Sequence, residues 1–412
     1  MSEPHASPAA AHAGTPREVF LAFLRLGVTS FGGPVAHLGY FREDLVRRRR
    51  WLSEETYANL VALCQFLPGP ASSQVGMAIG LMRAGPAGMA AAWLAFTLPS
   101  ALIMLAVAYG VMQADATGIG GGWLAGLKVA AAAIVADAVL GMAKNLCPDR
   151  TRRSLALLAA AAAALAPGAF GQIGVIAGGA VAGLAFIRLD TAPVPEPHGH
   201  HLPGRIASLA ALALFAALLV GLPLLARASG DPGVALFDTL YRAGALVFGG
   251  GHVVLPLIEA EVVRPGGLTQ EVFLAGYGAA QAVPGPLFTF AAYLGAILDP
   301  GPSGIPGAVL ALVAIFLPGF LVLVGVLPFW DALRARPAAQ ALLRGANAAV
   351  VGILAAALYD PVFTSAVTDG WTFALAAVLF IALTALKAPP WLVVLLGAAG
   401  GIALALLHPL AG

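Results

Sequence analysis

One short pattern occurs twice in the chain and constrains the fold more than any other feature. Arg-x-Gly-x-x-x-Phe-Gly-Gly is found at residues 25–33 and again at 242–250. Gln-x-x-Pro-Gly-Pro follows both copies in the same order, at 65–70 and 281–286. Polar, glycine and proline residues rarely recur in one order by chance, so the chain is predicted to contain two structural repeats.

The composition places these repeats in a membrane. Of the 412 residues, 60% are hydrophobic and only 10% are charged, whereas soluble domains carry about 25% charged residues. Many apolar segments approach the roughly 20 residues that a membrane-spanning helix needs. We therefore expect an all-α polytopic membrane protein, and two repeats in such a chain are typical of a transporter.

The distribution of basic residues predicts which loops face the cytoplasm. The arginines at 47–50 and the basic residues between 144 and 153 mark cytoplasmic loops, because such loops are enriched in Lys and Arg. The loops at 114–122 and 167–171 contain neither residue type and are predicted to be external.

On this assignment, segments 19–40 and 56–82 begin and end on the cytoplasmic side. Each has helix-breaking residues near its middle, Phe31-Gly32-Gly33-Pro34 in one and Pro68-Gly69-Pro70 in the other. We expect both segments to be re-entrant, with their breaks facing protein or water, since lipid cannot satisfy broken backbone. The alternative is that both segments cross the membrane completely.

The two repeats are predicted to have inverted topology. A single apolar segment between them has no counterpart in the first half and would deliver the second half upside down. Arg334, Arg336 and Lys387 then fall inside and loop 360–370 outside, as the charge rule requires. The expected organisation is a disordered, cytoplasmic N-terminal tail at 1–16, a first repeat at 17–188, a cytoplasmic linker at 189–205, a linker transmembrane helix at 206–226 and a second repeat at 236–408.

The Pro-Gly-Pro turns suggest an anion site. Proline favours the first position of a helix, so Pro70 and Pro286 are expected to begin half-helices. The free N–H groups of a helix start attract anions, and they would come from residues 71–73 and 287–289. The alternative is that these residues only kink packed helices. Gln65 and Gln281 would either satisfy freed carbonyl groups or donate to substrate.

Four basic residues lie within apolar segments, namely Arg25, Lys128, Arg242 and Arg344. An intramembrane cation is by default a functional candidate, and two electropositive vestibules would attract an anion. Arg25 could instead reach the membrane surface by snorkelling. Acids are scarcer at depth, Asp137 being the clearest, with Glu55 and Glu271 near the starts of the Pro-Gly-Pro segments.

The predicted substrate-binding residues collect these groups. They are Arg25, Phe31, Gly32, Gly33, Gln65, Pro68, Gly69, Pro70, Ser72, Ser73, Lys128, Arg242, Phe248, Gly249, Gly250, Gln281, Pro284, Gly285, Pro286, Thr289 and Arg344. No catalytic residue, cofactor or metal site is expected. The histidines at 198, 200 and 201 are interpreted as part of a solvated linker. The sequence lacks the phosphate-binding loop of ATP-driven proteins and hydrolase motifs, so an enzyme is not expected.

These motifs resemble the signature region of the chromate ion transporter family. The resemblance is carried by FGGPVAHLGYFREDLV, by LSEETYANLVALCQFLPGP and by the second copy, FGGGHVVLPLIEAEVV with LTQEVFLAGYGAAQAVPGP. It covers the chain from about residue 17 to 408 and implies a two-repeat bacterial transporter of the cytoplasmic membrane. The second copy departs from the first by reading Phe-Gly-Gly-Gly-His.

The resemblance implies a secondary transporter that exports chromate, driven by the proton motive force, and confers chromate resistance. Import of sulfate or another oxyanion, or a passive anion channel, are the alternatives. The expected partners are a chromate or sulfate-like oxyanion, coupling protons and the lipid bilayer, with no nucleic acid and a homodimer as one oligomeric option.

Overall fold

The computed structural model describes residues 14–117, 121–166, 169–187, 203–247, 268–299, 301–330 and 336–407, together with 255, 258–259 and 262–263. Helices are the only regular secondary structure in these residues, and no β-strand is present among them, which confirms the predicted all-α fold class. The predicted disordered tail and the histidine-rich linker lie almost wholly outside the described residues. So do Phe248, Gly249 and Gly250 of the second Phe-Gly-Gly motif.

Helices of the first repeat follow the predicted apolar segments. They are α1 (Pro16–Thr29), α2 (Gly33–Phe41), α3 (Glu54–Phe66), α4 (Ala71–Thr117), α5 (Gly121–Leu146), α6 (Arg150–Leu165) and α7 (Ala169–Phe186). A π-helical turn, Arg42–Arg48, continues α2.

The linker helix is α8 (Arg205–Ser229), and the second repeat follows it. Its helices are α9 (Pro232–Leu246), α10 (Gln270–Ala282), α11 (Phe290–Ile297), α12 (Gly304–Val326), α13 (Pro337–Ala357), α14 (Gly370–Thr384) and α15 (Pro390–Leu407). A 3-10 turn, Leu287–Thr289, precedes α11, and a π-helical turn, Leu358–Phe363, follows α13.

Several helices begin at side-chain caps that the sequence supplies. Thr15, Ser53 and Asp231 each accept a hydrogen bond from a backbone N–H three residues later, at the starts of α1, α3 and α9. Such caps satisfy N–H groups that have no partner within the helix. The equivalent helices α3 and α10 are both capped this way, α10 by Thr269.

Within the described residues, six helices are long and apolar enough to cross a membrane: α4, α5, α8, α12, α13 and α15. Helix α4 is turned back on itself at Ala84 and Gly85, whose backbone angles are not helical. Gly80 packs against Gly88 and Ala92 across this turn, so α4 consists of two antiparallel arms, residues 71–83 and 86–117. The same contact recurs between Gly295 of α11 and Gly307 of α12.

The two repeats pack in the same way and interlock. Helix α1 lies against α4, and its counterpart α9 lies against α12. Helix α5 packs on α14 and α15 of the second repeat, while α13 packs on α6 and α7 of the first. Glycines allow these helices to approach closely, as where Gly126 meets Gly397 and Gly345 meets Gly179.

The helices that flank the two breaks of the first repeat are short. Helix α1 has 14 residues and α3 has 13, so each is about 20 Å long at 1.5 Å per residue, against the ~30 Å hydrocarbon thickness of a bilayer. The ends of these segments lie together. Arg83 pairs with Glu18 at 3.2 Å, and its guanidinium lies 5.2 Å from the centre of the Trp51 ring.

Candidate substrate-binding site

The sequence breaks are true helix ends in the first repeat. Helix α1 ends at Thr29, and α2 begins at Gly33, where Gly32 and Gly33 adopt φ angles of 97° and 77°. Helix α3 ends at Phe66, and Gly69 has φ 117° before α4 begins at Ala71. Only glycine adopts such backbone angles readily, which explains why these turns carry it.

The break of each repeat is hydrogen-bonded to the other repeat. The Gly69 N–H donates to the Val247 carbonyl at 2.7 Å, directly before the second Phe-Gly-Gly motif. In the reciprocal contact, the Gly285 N–H donates to the Ser30 carbonyl at 2.9 Å, directly before the first Phe-Gly-Gly motif. The Pro-Gly-Pro turn of one repeat therefore meets the residue before Phe-Gly-Gly of the other, and the breaks converge between the repeats.

The two Pro-Gly-Pro turns also fit closely against the second arm of α4 and its counterpart α12. A methyl group on Gly69 would lie 3.0 Å from the Gly319 Cα, and one on Gly285 would lie 2.8 Å from the Ser100 hydroxyl. Positions 319 and 100 each follow a Leu-Pro pair in equivalent helices. Both turns are thus held by matching contacts.

A cluster of buried polar side chains surrounds these turns on the side of the first repeat. The His37 Nδ1 lies 3.3 Å from the Ser72 hydroxyl, and the imidazole packs edge-on against Phe96 and lies beside the Ser30 backbone. Ser30, His37 and Ser72 are each at most 2% exposed. We use the name polar cluster for Ser30, His37 and Ser72 together with two buried residues next to them in the chain, Ser73 beside Ser72 and Thr97 beside Phe96.

Several atoms of the polar cluster have no hydrogen-bond partner in the part of the chain that the structure describes. They are Ser30 Oγ, His37 Nε2, Ser73 Oγ and Thr97 Oγ1. Leaving a buried polar atom unpaired costs about 1–3 kcal/mol, and such atoms are rare in folded proteins. Their concentration beside two helix breaks indicates a site that a polar ligand completes.

The start of α4 adds backbone donors to this cluster. The Gln74 N–H donates to the Pro70 carbonyl, the residue before α4, at 2.9 Å. The N–H groups of Ala71, Ser72 and Ser73 therefore lie at the N-terminus of the helix, as predicted. In the second repeat the corresponding prediction is wrong for Thr289. Its N–H and its hydroxyl both donate to Pro286 O, because the chain there forms a 3-10 turn.

The two predicted glutamines lie in different surroundings. Gln65 is exposed on α3, and Gln281 is buried and hydrogen-bonded to Tyr277. The freed carbonyl groups are instead satisfied by Gln74, whose Nε2 donates to Pro68 O at 2.9 Å and to Gly319 O at 3.1 Å. Sequence reasoning missed Gln74, although a glutamine in the first turn after Pro-Gly-Pro was the available signal.

The four predicted cations are not gathered at the breaks. Arg25 is exposed on α1, and Arg242 is paired with Asp238 on its own helix at 3.0 Å. Lys128 pairs with Glu271 at 3.2 Å, and Arg344 lies near Arg152 and Asp149.

Lys128 and Arg344 hold similar places, since each lies near the first turn of a helix of the opposite repeat, α10 for Lys128 and α6 for Arg344. Lys128 also donates to the Ser365 carbonyl at 3.4 Å. The two electropositive vestibules remain a prediction. In the structure, carboxylates already balance the charges of Lys128 and Arg242. Of the predicted acids, Asp137 is half-buried on α5, and the side chain of Glu55 lies outside the described part of the structure.

Comparison with known proteins matches both repeats. The family described as "Chromate transporter" matches residues 17–184 and 234–402. The chain belongs to the chromate transporter family. This confirms the resemblance and the two-repeat organisation, and with the apolar helices it makes the chain a multi-pass membrane protein.

Curated relatives cover most of the chain. A chromate transport protein of Pseudomonas aeruginosa is 30% identical over 83% of this chain and 80% of its own length. A probable chromate transport protein of Synechococcus elongatus is 29% identical over 82% of both chains. A chromate transport protein of Cupriavidus metallidurans is 28% identical over 84% of this chain and 82% of its own. No solved structure matches the chain.

Proposed function

We propose that this protein is a secondary transporter that exports chromate across the bacterial cytoplasmic membrane, driven by the proton motive force, and so confers chromate resistance. The observation that carries the proposal is the polar cluster at the crossing of the two repeats. Its unpaired groups are the kind that bind a tetrahedral oxyanion, and the relatives that share both repeats are named for chromate transport.

The chemistry of the polar cluster suits a dianion. Hydroxyl groups of Ser30, Ser73 and Thr97 can donate hydrogen bonds, as can an imidazole N–H of His37. The N-terminus of α4 adds backbone N–H groups and the positive end of the helix dipole. Oxyanion oxygens spread over a tetrahedron can be met by donors from several directions, which the convergence of α1, α2 and α4 provides.

The proposal includes re-entrant segments at the breaks and inverted topology of the two repeats. The contacts among Glu18, Trp51 and Arg83 support a common face for both ends of each broken segment. Arg47–Arg50 lie next to this face in sequence and favour the cytoplasm, which gives a cytoplasmic N-terminus. Substrate would then reach the breaks from either side as the interlocked repeats move.

Uptake of labelled chromate into everted membrane vesicles tests the proposal, with and without a proton uncoupler and with excess sulfate. Uptake that the uncoupler abolishes is expected, because export is energised. Uptake that persists without a proton gradient would indicate a passive channel. Uptake only in right-side-out vesicles would indicate oxyanion import and overturn the proposed direction.

A pair of serine variants tests the site itself. Ser73→Ala removes a buried hydroxyl that has no partner among the described residues, so stability should be unchanged or raised while the transport rate falls. Ser208→Ala is the matched control. Its hydroxyl is also buried but donates to Val324 O at 3.0 Å, away from the breaks; we expect lower stability and a normal rate. A normal rate in Ser73→Ala would refute the assignment of this cluster.

A further inference from the structure

The two repeats pack differently at one pair of equivalent helices, α3 and α10. Most contacts between the repeats occur in matching pairs, since α15 lies on α5 as α7 lies on α13, and α14 lies on α5 as α6 lies on α13. Helix α10 also packs along α5 and α15. Its counterpart α3 has no comparable packing along α13 or α7 in the described part of the chain. Helix α10 is therefore docked on the opposite repeat, whereas α3 is not.

The undocked helix exposes the face that its counterpart buries. Ala58, Ala62 and Gln65 follow one another at spacings of four and three, so they share one face of α3, and all three are exposed. Both helices have 13 residues and begin at a hydroxyl cap, so the difference lies in their docking. The residues at the same distances before the second Pro-Gly-Pro motif are all buried, namely Leu274, Gly278 and Gln281.

Gln65 makes it unfavourable for this face to meet lipid. An amide side chain in hydrocarbon has no hydrogen-bond partner, which is costly. The face of α3 must therefore meet water or protein. The docking of α10 indicates which protein surface fits such a face, because the two helices are equivalent.

Gly278 lies at the contact between α10 and α5. A methyl group added to it would lie 2.8 Å from the Leu127 carbonyl oxygen and 3.6 Å from the Ala131 Cβ. In the first turn of α10, Glu271 pairs with Lys128 of α5 at 3.2 Å. A close approach to the backbone and an ion pair therefore hold α10 on α5.

Glycines identify the equivalent surface on α13. Gly126 of α5 and Gly345 of α13 make matching contacts with glycines of α15 and α7, so they occupy equivalent positions. On the same count, Asn347 corresponds to Lys128. The Asn347 Oδ1 is buried and has no hydrogen-bond partner among the described residues. The place at which α5 binds α10 is thus incompletely paired on α13.

We propose that the exposed face of α3 is a docking surface for α13, used in a second conformation in which α3 docks and α10 is released. Ala62 then takes the place of Gly278, and Glu55, which corresponds to Glu271 in sequence, lies at Asn347. The charge distribution predicts an external start of α10 and a cytoplasmic start of α3, so the exchange closes one side as it opens the other. The proposal rests on the proposed function, since such an exchange serves a transport cycle, and it names the contact that alternates.

A disulfide bond can report the second conformation. On the same count of positions, Val350 of α13 corresponds to Ala131 of α5. The 3.6 Å separation at Gly278 and Ala131 therefore predicts a similar Cβ separation for Ala62 and Val350, within the roughly 3.5–4.5 Å that a disulfide requires. Val350 is 0% exposed in the present packing, so its reaction with a cysteine at position 62 requires a rearrangement.

The native Cys64 and Cys147 are first replaced with alanine. Ala62→Cys combined with Val350→Cys is then compared with Ala62→Cys combined with Ala349→Cys, since Ala349 faces α7. In everted vesicles we expect mild oxidation to link the first pair alone and to stop chromate uptake. Reduction should restore uptake.

Glu271→Gln adds a directional test. It removes the ion pair with Lys128, which stabilises the present conformation. The rate of disulfide formation between positions 62 and 350 should therefore rise about two- to fivefold. An unchanged or lower rate would overturn the link between release of α10 and docking of α3.

The other outcomes are distinct. The docking surface would be overturned by absence of the 62–350 link in protein that transports chromate, by equal linking of both pairs, or by linking without loss of uptake. Absence of chromate uptake in the unmodified protein would overturn the proposed function, while the disulfide still reports whether α3 docks.

A second measurement applies if the cysteine pair does not fold. Ala62 is exposed, so Ala62→Phe fits the present conformation but blocks docking, and we expect an unchanged melting temperature with uptake near background. Ala213→Phe is the matched control, because Ala213 is exposed on α8, which has no counterpart in either repeat; its uptake should be normal. Normal uptake in Ala62→Phe would overturn the proposal.

Discussion

Replacing Gly69 with alanine should abolish transport, because it distorts the turn where the two repeats meet. Gly69 has φ 117°, a conformation that alanine adopts only under strain. Its added methyl group would lie 3.0 Å from the Gly319 Cα and 3.0 Å from the Gln74 Nε2. Relief of that overlap would displace the Gly69 N–H from the Val247 carbonyl, to which it now donates at 2.7 Å.

The expected cost follows from these two effects. A residue held in a disallowed backbone region costs about 1–3 kcal/mol, and loss of a backbone hydrogen bond costs about 1 kcal/mol. Together they disfavour the present conformation by about 2–4 kcal/mol. At about 1.4 kcal/mol for each factor of ten, its population relative to competing states falls about thirty-fold to a thousandfold.

The assay is the initial rate of chromate uptake in everted vesicles, normalised to the amount of folded protein. The matched control is Gly39→Ala on α2, because nothing lies within 4 Å of the methyl group it would add and alanine favours a helix. We expect a normal rate in Gly39→Ala and a rate near background in Gly69→Ala. A normal rate and melting temperature in Gly69→Ala would refute the view that the crossing of the repeats requires this turn.

Two further substitutions test local contacts by thermal unfolding of the purified protein. Gln74→Ala leaves Pro68 O and Gly319 O without their donor, so the free energy of unfolding should fall by about 2 kcal/mol or more; an unchanged melting temperature would contradict this role. The Arg152 backbone N–H and guanidinium hold the pKa of Asp149, the cap of α6, below its ordinary value. A lowered pKa stabilises the fold above the unfolded-state pKa, about 3.9, and this contribution is lost as the pH falls through the folded-state pKa. At neutral pH, Asp149→Ala should cost about 1 kcal/mol, while Asp149→Asn should retain most of the cap; equal losses in both variants would argue against capping.

The positions of the helix breaks could be predicted from the sequence because they depend on local backbone chemistry. Glycine at 32 and 69 and proline at 70 restrict the chain within a few residues, whatever surrounds them. The repeat pattern then identified equivalent helices, since it compares the chain with itself.

The partners of individual side chains could not be predicted, because they depend on the rotation of helices about their axes. Gln65 and Gln74 are both near the Pro-Gly-Pro turn in sequence, yet α3 presents Gln65 to the surface and α4 turns Gln74 towards the freed carbonyl groups. His37 and Ser72 are separated in the chain by the end of α2, the whole of α3 and the Pro-Gly-Pro turn, so their contact exists only in three dimensions.

The two repeats have equivalent helices but differ in the polar groups at their breaks. In the first repeat, the hydroxyl groups of Ser30, Ser73 and Thr97 and the Nε2 atom of His37 lack partners among the described residues. In the second, Thr289 is satisfied by its own turn and Tyr293 donates to Val272 O at 2.7 Å. If both repeats bound substrate equally, matching donors would be free on both sides. Within the described residues, the unpaired donors of the proposed substrate site therefore lie at the break of the first repeat. The hydrogen bonds from Gly69 to Val247 and from Gly285 to Ser30 join this break to the second repeat, so a movement of the second repeat would displace the donors of the proposed site.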